Sequence, residues 1–97
     1  MIVSLSAEAE RDLEAIGDFI AQDNPVRAIS FLRELRTKCL TLADLPNGFP
    51  LVPGYEALGI RRRKHGNYLI FYRVEAERLI VIHILHGAQD YEAILFP

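Results

Sequence analysis

The side chains in this sequence best suited to chemistry are three histidines, one cysteine and a run of four consecutive cations. His86, Asp90 and Tyr91 stand close together near the C-terminal end, and an imidazole beside a carboxylate and a phenol could move protons. A plainer reading has Asp90 capping a last helical turn and His86 bonded to backbone. His83 and His86 are three apart in a β-forming segment. Regular alternation would put them on opposite faces, where they cannot share a metal. Cys39 is the only cysteine, so no intramolecular disulfide can form. It falls in an apolar helical pattern, where a free thiol behaves as a small hydrophobe.

The cationic run is Arg61-Arg62-Arg63-Lys64. On a strand, Arg61 and Arg63 share one face and Arg62 and Lys64 the other. The run can guard an edge strand against aggregation by charge. It can also form a site for an anion or an acidic partner beside Tyr68 and Tyr72. No Gly-rich phosphate loop, Gly-x-Ser-x-Gly turn, paired-carboxylate constellation or metal motif accompanies it. Ser4, Ser6 and Ser30 read as a strand residue, a helix cap and a helix-surface residue.

These side chains need a scaffold, and the length of 97 residues gives one domain, residues 1–97. Hydrophobic residues make up 51% and charged residues 25%, the balance of a globular chain and not a disordered one. The formal charge of −2 leaves no global basic field of the kind that binds nucleic acid. Charge is segregated, however. Ser6 to Asp23 holds six acids against one base, and Asn24 to Asp44 holds four bases against two acids. With no charged leader before an apolar run and no membrane-length apolar stretch, the expected location is the cytoplasm.

Met1 to Leu5 is short, apolar and β-branched, and Ser6 is a helix N-cap, so a strand should pass into a helix. Ala9, Leu13, Ile16 and Ile20 mark one helical face. Gly17 inside that helix suggests close approach of another backbone. Asn24-Pro25 restarts the helix as cap and first-turn residue. Ala28, Leu32, Leu35, Cys39 and Leu42 carry the next stripe. The short link predicts an antiparallel helical hairpin. Residues 45–59 form a loop rich in Pro and Gly that packs down through Phe49, Leu51 and Val52. Strands follow over 60–65, 68–74 and 78–86, joined by a Gly66-Asn67 turn and the polar 75–77 turn. The last is apolar on both faces, which places it centrally. Residues 89–95 form one helical turn or an edge strand. The expected class is α+β, in the order β-α-α-β-β-β with the helices on one sheet face.

In this order and spacing the chain resembles the ParE branch of the ParE/RelE superfamily of bacterial type II toxins. The resemblance is carried by LSAEAERDLEAIGDFIAQDNP (Leu5 to Pro25), the basic strand before Gly66, NYLIFYRV (Asn67 to Val74) and ILHGAQDYEAIL (Ile84 to Leu95). It implies a toxin neutralised by a ParD-like antitoxin encoded beside it, whose flexible C-terminal segment folds over the hairpin and sheet in a hetero-oligomer. For the ParE branch it implies inhibition of DNA gyrase without enzymatic chemistry, and with no cofactor, metal, membrane or direct nucleic-acid contact. Expected contact residues for antitoxin or target are Arg61, Arg63, Tyr68, Tyr72, Arg73, Asp90, Tyr91 and Phe96.

The RelE-like branch, which cleaves ribosome-bound mRNA, is the alternative, and Arg61, Arg63, Arg73, His86 and Tyr91 would be its catalytic set. Where that branch carries charge, this sequence has Leu69 and Gly87-Ala88-Gln89. A phenol near its ordinary pKa of about 10 is a poor base without cations beside it. A third possibility is a module that only pairs with an antitoxin.

Overall fold

The computed structural model describes residues 1–95, and within them the elements follow the expected order. Strand β1 (Ile2–Leu5) leads into helix α1 (Ala7–Ala21), and helix α2 (Pro25–Leu40) completes the hairpin. Strands β2 (Ile60–His65), β3 (Tyr68–Val74) and β4 (Arg78–His86) form the meander, and a short helix α3 (Tyr91–Leu95) follows. The helical alternative for the last segment is therefore the observed one. A 3-10 turn at Thr41–Asp44 precedes the 45–59 region, and a second, at Glu56–Leu58, lies within it.

Both helix starts have the chemistry that their sequence predicts. Ser6 Oγ accepts the Ala9 N–H at 3.0 Å, and Asn24 Oδ1 accepts the Arg27 N–H at 3.0 Å with Pro25 in the first turn. The acidic α1 and basic α2 are joined by a two-pronged pair from Arg36 to Glu10, at 2.8 and 3.1 Å. At Gly17 the close neighbour is a side chain, not a backbone. A Cβ there would lie 2.7 Å from Leu32 Cδ1.

The four strands form one mixed sheet in the order β1-β4-β3-β2. β1 runs parallel to β4, and the other pairs are antiparallel. β4 is thus internal, as its two apolar faces require. One sheet face and the hairpin enclose the main core, which includes Leu13, Leu35, Cys39, Ile70, Tyr72 and Val81. The other face carries a smaller core of Val52, Ile60, Phe71 and Leu85, covered by Tyr55, Tyr91 and Leu95.

The sheet departs from regular alternation at one place. Phe71 pairs with His83 while Tyr72 pairs with Val81, so Ile82 has no partner on β3 and β4 bulges. Helix α1 satisfies the bulge. Ser6 Oγ donates to the Ile82 carbonyl at 2.7 Å, and Asp12 Oδ2 accepts the Ile84 N–H at 2.9 Å. The extra residue turns the end of β4 over. His83 bonds Asp12 of α1, and His86 shares an open hollow with Ala15, Ile16 and Phe19 of the same helix. The bulge precedes His83, and from His83 to His86 the ladder is unbroken, so the two histidines pair with Phe71 and Tyr68 on opposite sheet faces, as alternation predicts.

Candidate functional site

The cationic run on β2 divides between two faces as its alternation predicts, but the two halves do different things. Arg61 and Arg63 lie on the hairpin side, opposite Tyr72 and Ile70. Arg61 Nη1 donates to the carbonyls of Phe49 at 2.7 Å and Asn47 at 3.3 Å. Arg63 Nη1 donates to the Lys38 carbonyl at 3.1 Å and Thr41 Oγ1 at 2.9 Å, and its guanidinium lies over the Phe49 ring. Together they hold the 45–50 loop and the C-terminal end of α2, where free carbonyls favour a cation.

Arg62 and Lys64 face the opposite side, paired across the ladder with Phe71 and Leu69. Arg62 Nη1 meets the Tyr91 hydroxyl at 3.3 Å. The two cations line an open hollow of about 590 Å³ with Phe49, Pro50, Leu69 and Gly87. Both belong to the run expected to suit an anion or acidic partner, on the face that the strand period assigns them, but neither is among the expected contact residues.

A second hollow, of about 350 Å³, opens between α1 and the far end of the sheet. Tyr68, His86, Phe19 and Gln89 are among its walls. The Tyr68 and His86 rings meet edge to face at 5.2 Å, and Phe31 links Tyr68 to His65 at 5.5 Å on each side. Phe19 is 66% exposed there. His65 Nε2 lies 3.1 Å from Glu34, which also pairs with Arg27. Those two contacts, the Arg27 bond first, hold the Glu34 carboxyl below the usual carboxylate range.

One expected contact residue changes role. Tyr72 is wholly buried and its hydroxyl donates to the Pro46 carbonyl at 2.9 Å, so it is a core residue with no surface for a partner. Burial pushes its phenol pKa up, against the opposing pull of Arg61. Asp90 takes the plainer of its two readings, as an acceptor for the Ala93 N–H at 3.5 Å. His86 Nδ1 likewise accepts the Ala88 N–H at 3.1 Å. Arg73 is exposed and pairs with Glu75, which also binds Arg78. Tyr91 stacks near Phe71 at 5.2 Å. Phe96 lies outside the described residues.

The alternative catalytic set is therefore not brought together. Arg61 and Arg63 are bonded to the loop and α2 on the hairpin side. His86 is on that same side but faces α1, and Tyr91 is across the sheet with Arg62. Cys39 is fully buried, and burial pushes its thiol up to about 12. Among the described residues, no group of three or more His, Cys, Asp or Glu is placed to hold a metal. None of their helices is long and apolar enough to cross a membrane.

Comparison with known proteins places this geometry. Residues 3–91 match the sequence model of the family described as the ParE toxin of the type II toxin–antitoxin system parDE. The chromosomal ParDE system from P. aeruginosa contains a similar chain, with TM-score 0.75 and 20% identity over 89% of this chain and 95% of that one. The RelBE2 toxin–antitoxin complex from Mycobacterium tuberculosis contains another, with TM-score 0.64 and 19% identity over 88% and 95%. At these identities the two structures speak for the fold. None of the curated proteins compared matches the chain.

Proposed function

The chain belongs to the ParE toxin family of type II toxin–antitoxin systems, and from that premise we propose that it is a toxin that inhibits DNA gyrase and is silenced by direct binding of a ParD-like antitoxin. The family match over residues 3–91 is the observation that carries this reading. It acts by binding, in the cytoplasm, in a hetero-oligomer with its antitoxin when silenced. The surface residues suited to contact are Tyr68 on the aromatic hollow, Arg73, and Tyr91 with its partner Arg62. Arg61 and Arg63 support the same region from behind, by fixing the loop and helix end that frame it.

A ribonuclease reading has one observation in its favour. Arg62, Lys64 and Tyr91 lie on or beside one sheet face, and cations beside a phenol suit phosphate chemistry. Against it stand Leu69 and Gly87 in the same hollow, where no further charge is available. The order of events in cells separates the two. Induced expression should stop DNA synthesis first and raise the DNA-damage response, with translation continuing. Co-expression of the antitoxin from the adjoining reading frame should restore growth. Arrest of translation first, with cleaved mRNA, is the outcome that assigns the ribonuclease instead.

A further inference from the structure

We infer that the free edge of β1 joins a second copy of this chain, β1 against β1 in antiparallel pairing, about a two-fold axis at Ser4. The inference is independent of the toxin's target and rests on the backbone, the composition and the surroundings of that edge.

The parallel ladder with β4 decides which backbone groups of β1 are free. The Ile2 N–H reaches the Glu77 carbonyl at 3.4 Å, and the Ser6 N–H reaches the Val81 carbonyl at 2.9 Å. Residues 2, 4 and 6 therefore turn their backbone groups toward β4, in the register that pairs Ser4 with Ile80. Val3 and Leu5 turn theirs outward from the sheet, and no hydrogen bond among the described residues meets them. In an antiparallel pair, two such residues set opposite each other exchange both of their bonds. Val3 opposite Leu5 of a second copy, and Leu5 opposite its Val3, satisfies every one of these groups in both chains. Ser4 then faces Ser4 of the second copy, at the position where side chains come closest. Its hydroxyl has no partner among the described residues, and against its own copy one hydroxyl donates and the other accepts.

The edge also lacks the devices that keep strand edges apart, which are charge, proline and bulges. The opposite edge of the sheet has them: β2 carries four consecutive cations, and residues 50–52 cross part of its free side. From Met1 to Ala7 there is no charged side chain and no proline, and β1 pairs with 78–81, short of the bulge. Apolar side chains stay uncovered on both faces of this edge. Val3 and Leu5 pack toward the hairpin core, so Ile2 lies on the other face, where it is 70% exposed. On the hairpin side the Thr41–Asp44 turn packs beside β1, and Leu40 and Leu45 at its two ends are 60% and 59% exposed. A second copy is the occupant that fits, because an uncharged strand with a central serine is complementary to itself and sets no like charges opposite. The cationic, partly covered β2 of another molecule is a poor match for β1, so the pairing closes at two chains and does not run on into a filament. A charged peptide finds nothing on this edge to read.

Sedimentation equilibrium of the intact protein, without antitoxin and over a range of concentrations, tests this. The mass should rise from the 11.0 kDa of one chain toward twice that value, and hydrogen exchange at the Val3 and Leu5 amides should slow as it does. Ser4→Lys and Ser4→Glu each place like charges opposite at the axis and should weaken the dimer about fivefold. Mixing the two variants should restore it, because only an axis at residue 4 sets that residue against itself. Circular dichroism shows whether each variant folds, and the wild-type exchange stands without them. A protein that keeps the mass of one chain at every concentration overturns the inference and leaves the toxin reading intact. A dimer that both variants form as readily as wild type, with unprotected Val3 and Leu5 amides, overturns it too, since another surface then joins the chains. Protection of those amides only when the antitoxin is added assigns the edge to the antitoxin, and the inference fails.

Discussion

Asp12 on α1 bonds His83 on β4, with Oδ2 at 2.7 Å from Nδ1, and the same oxygen accepts the Ile84 N–H at 2.9 Å. One carboxylate therefore joins the first helix to the last strand across 71 positions of sequence. It does so where β4 bulges and the ladder cannot serve its own backbone.

Replacing Asp12 should show what that junction contributes. Asp12→Ala leaves a partly buried N–H and an imidazole without their acceptor and should cost about 2 kcal/mol, the range for hydrogen bonds to charged groups. Asp12→Asn keeps an acceptor for Ile84 and should lose less. Urea unfolding followed by circular dichroism gives both values. A loss below about 0.5 kcal/mol for the alanine variant would make the contact incidental.

How much was legible in the sequence follows from the range of each signal. Ser6, Asn24-Pro25 and the Gly66-Asn67 turn are local chemistry, and the helices and strands begin and end where they direct. The apolar character of β4 announced an internal strand because burial on both faces leaves its mark on every residue. The bulge at Ile82 left none. Its carbonyl and the nearby Ile84 N–H are satisfied by Ser6 and Asp12, more than 70 positions away. Tyr72 looked like a contact residue beside cations, but its partner is a carbonyl of a loop whose path no local pattern reveals. Arg62 and Lys64 were separable from Arg61 and Arg63 by period alone. Only the loop's position decided which pair is spent on the fold.

That division gives a contrast within one strand. Arg61→Ala removes bonds to the Phe49 and Asn47 carbonyls, and Arg63→Ala those to Lys38 and Thr41. Each should lower stability by about 1–2 kcal/mol. Lys64→Ala, at an exposed position, should stay within about 0.5 kcal/mol of wild type. Thermal melts of the three variants measure this. Equal melting temperatures for all three would show that the loop holds without its arginines.

Acid should weaken the fold in a defined window. Glu10, Glu34 and Glu75 are each held below the usual carboxylate range, chiefly by hydrogen bonds from Arg36, Arg27 and Arg73. A carboxylate whose folded pKa is depressed contributes stability above its unfolded value of about 4.3. That contribution is lost as pH falls through the folded value. The urea midpoint should therefore drop as pH goes from about 5 to about 3, modestly because these pairs are exposed, and less steeply in high salt. A flat midpoint across this window would contradict the assignment.

Cys39 should be silent in the native protein. Its thiol is fully buried with a pKa pushed up to about 12, so almost no thiolate exists at neutral pH. Iodoacetamide should leave native protein unmodified by mass spectrometry and label it fully in urea. Rapid native labelling would place the thiol at the surface and contradict the packing of α2 on the sheet.

The proposed toxic activity meets its most direct test in a supercoiling assay with purified gyrase and relaxed plasmid. Added in molar excess, the protein should reduce supercoiling, and pre-mixing with its antitoxin should restore it. Supercoiling that proceeds unchanged at every ratio of folded protein to gyrase would contradict the proposed target.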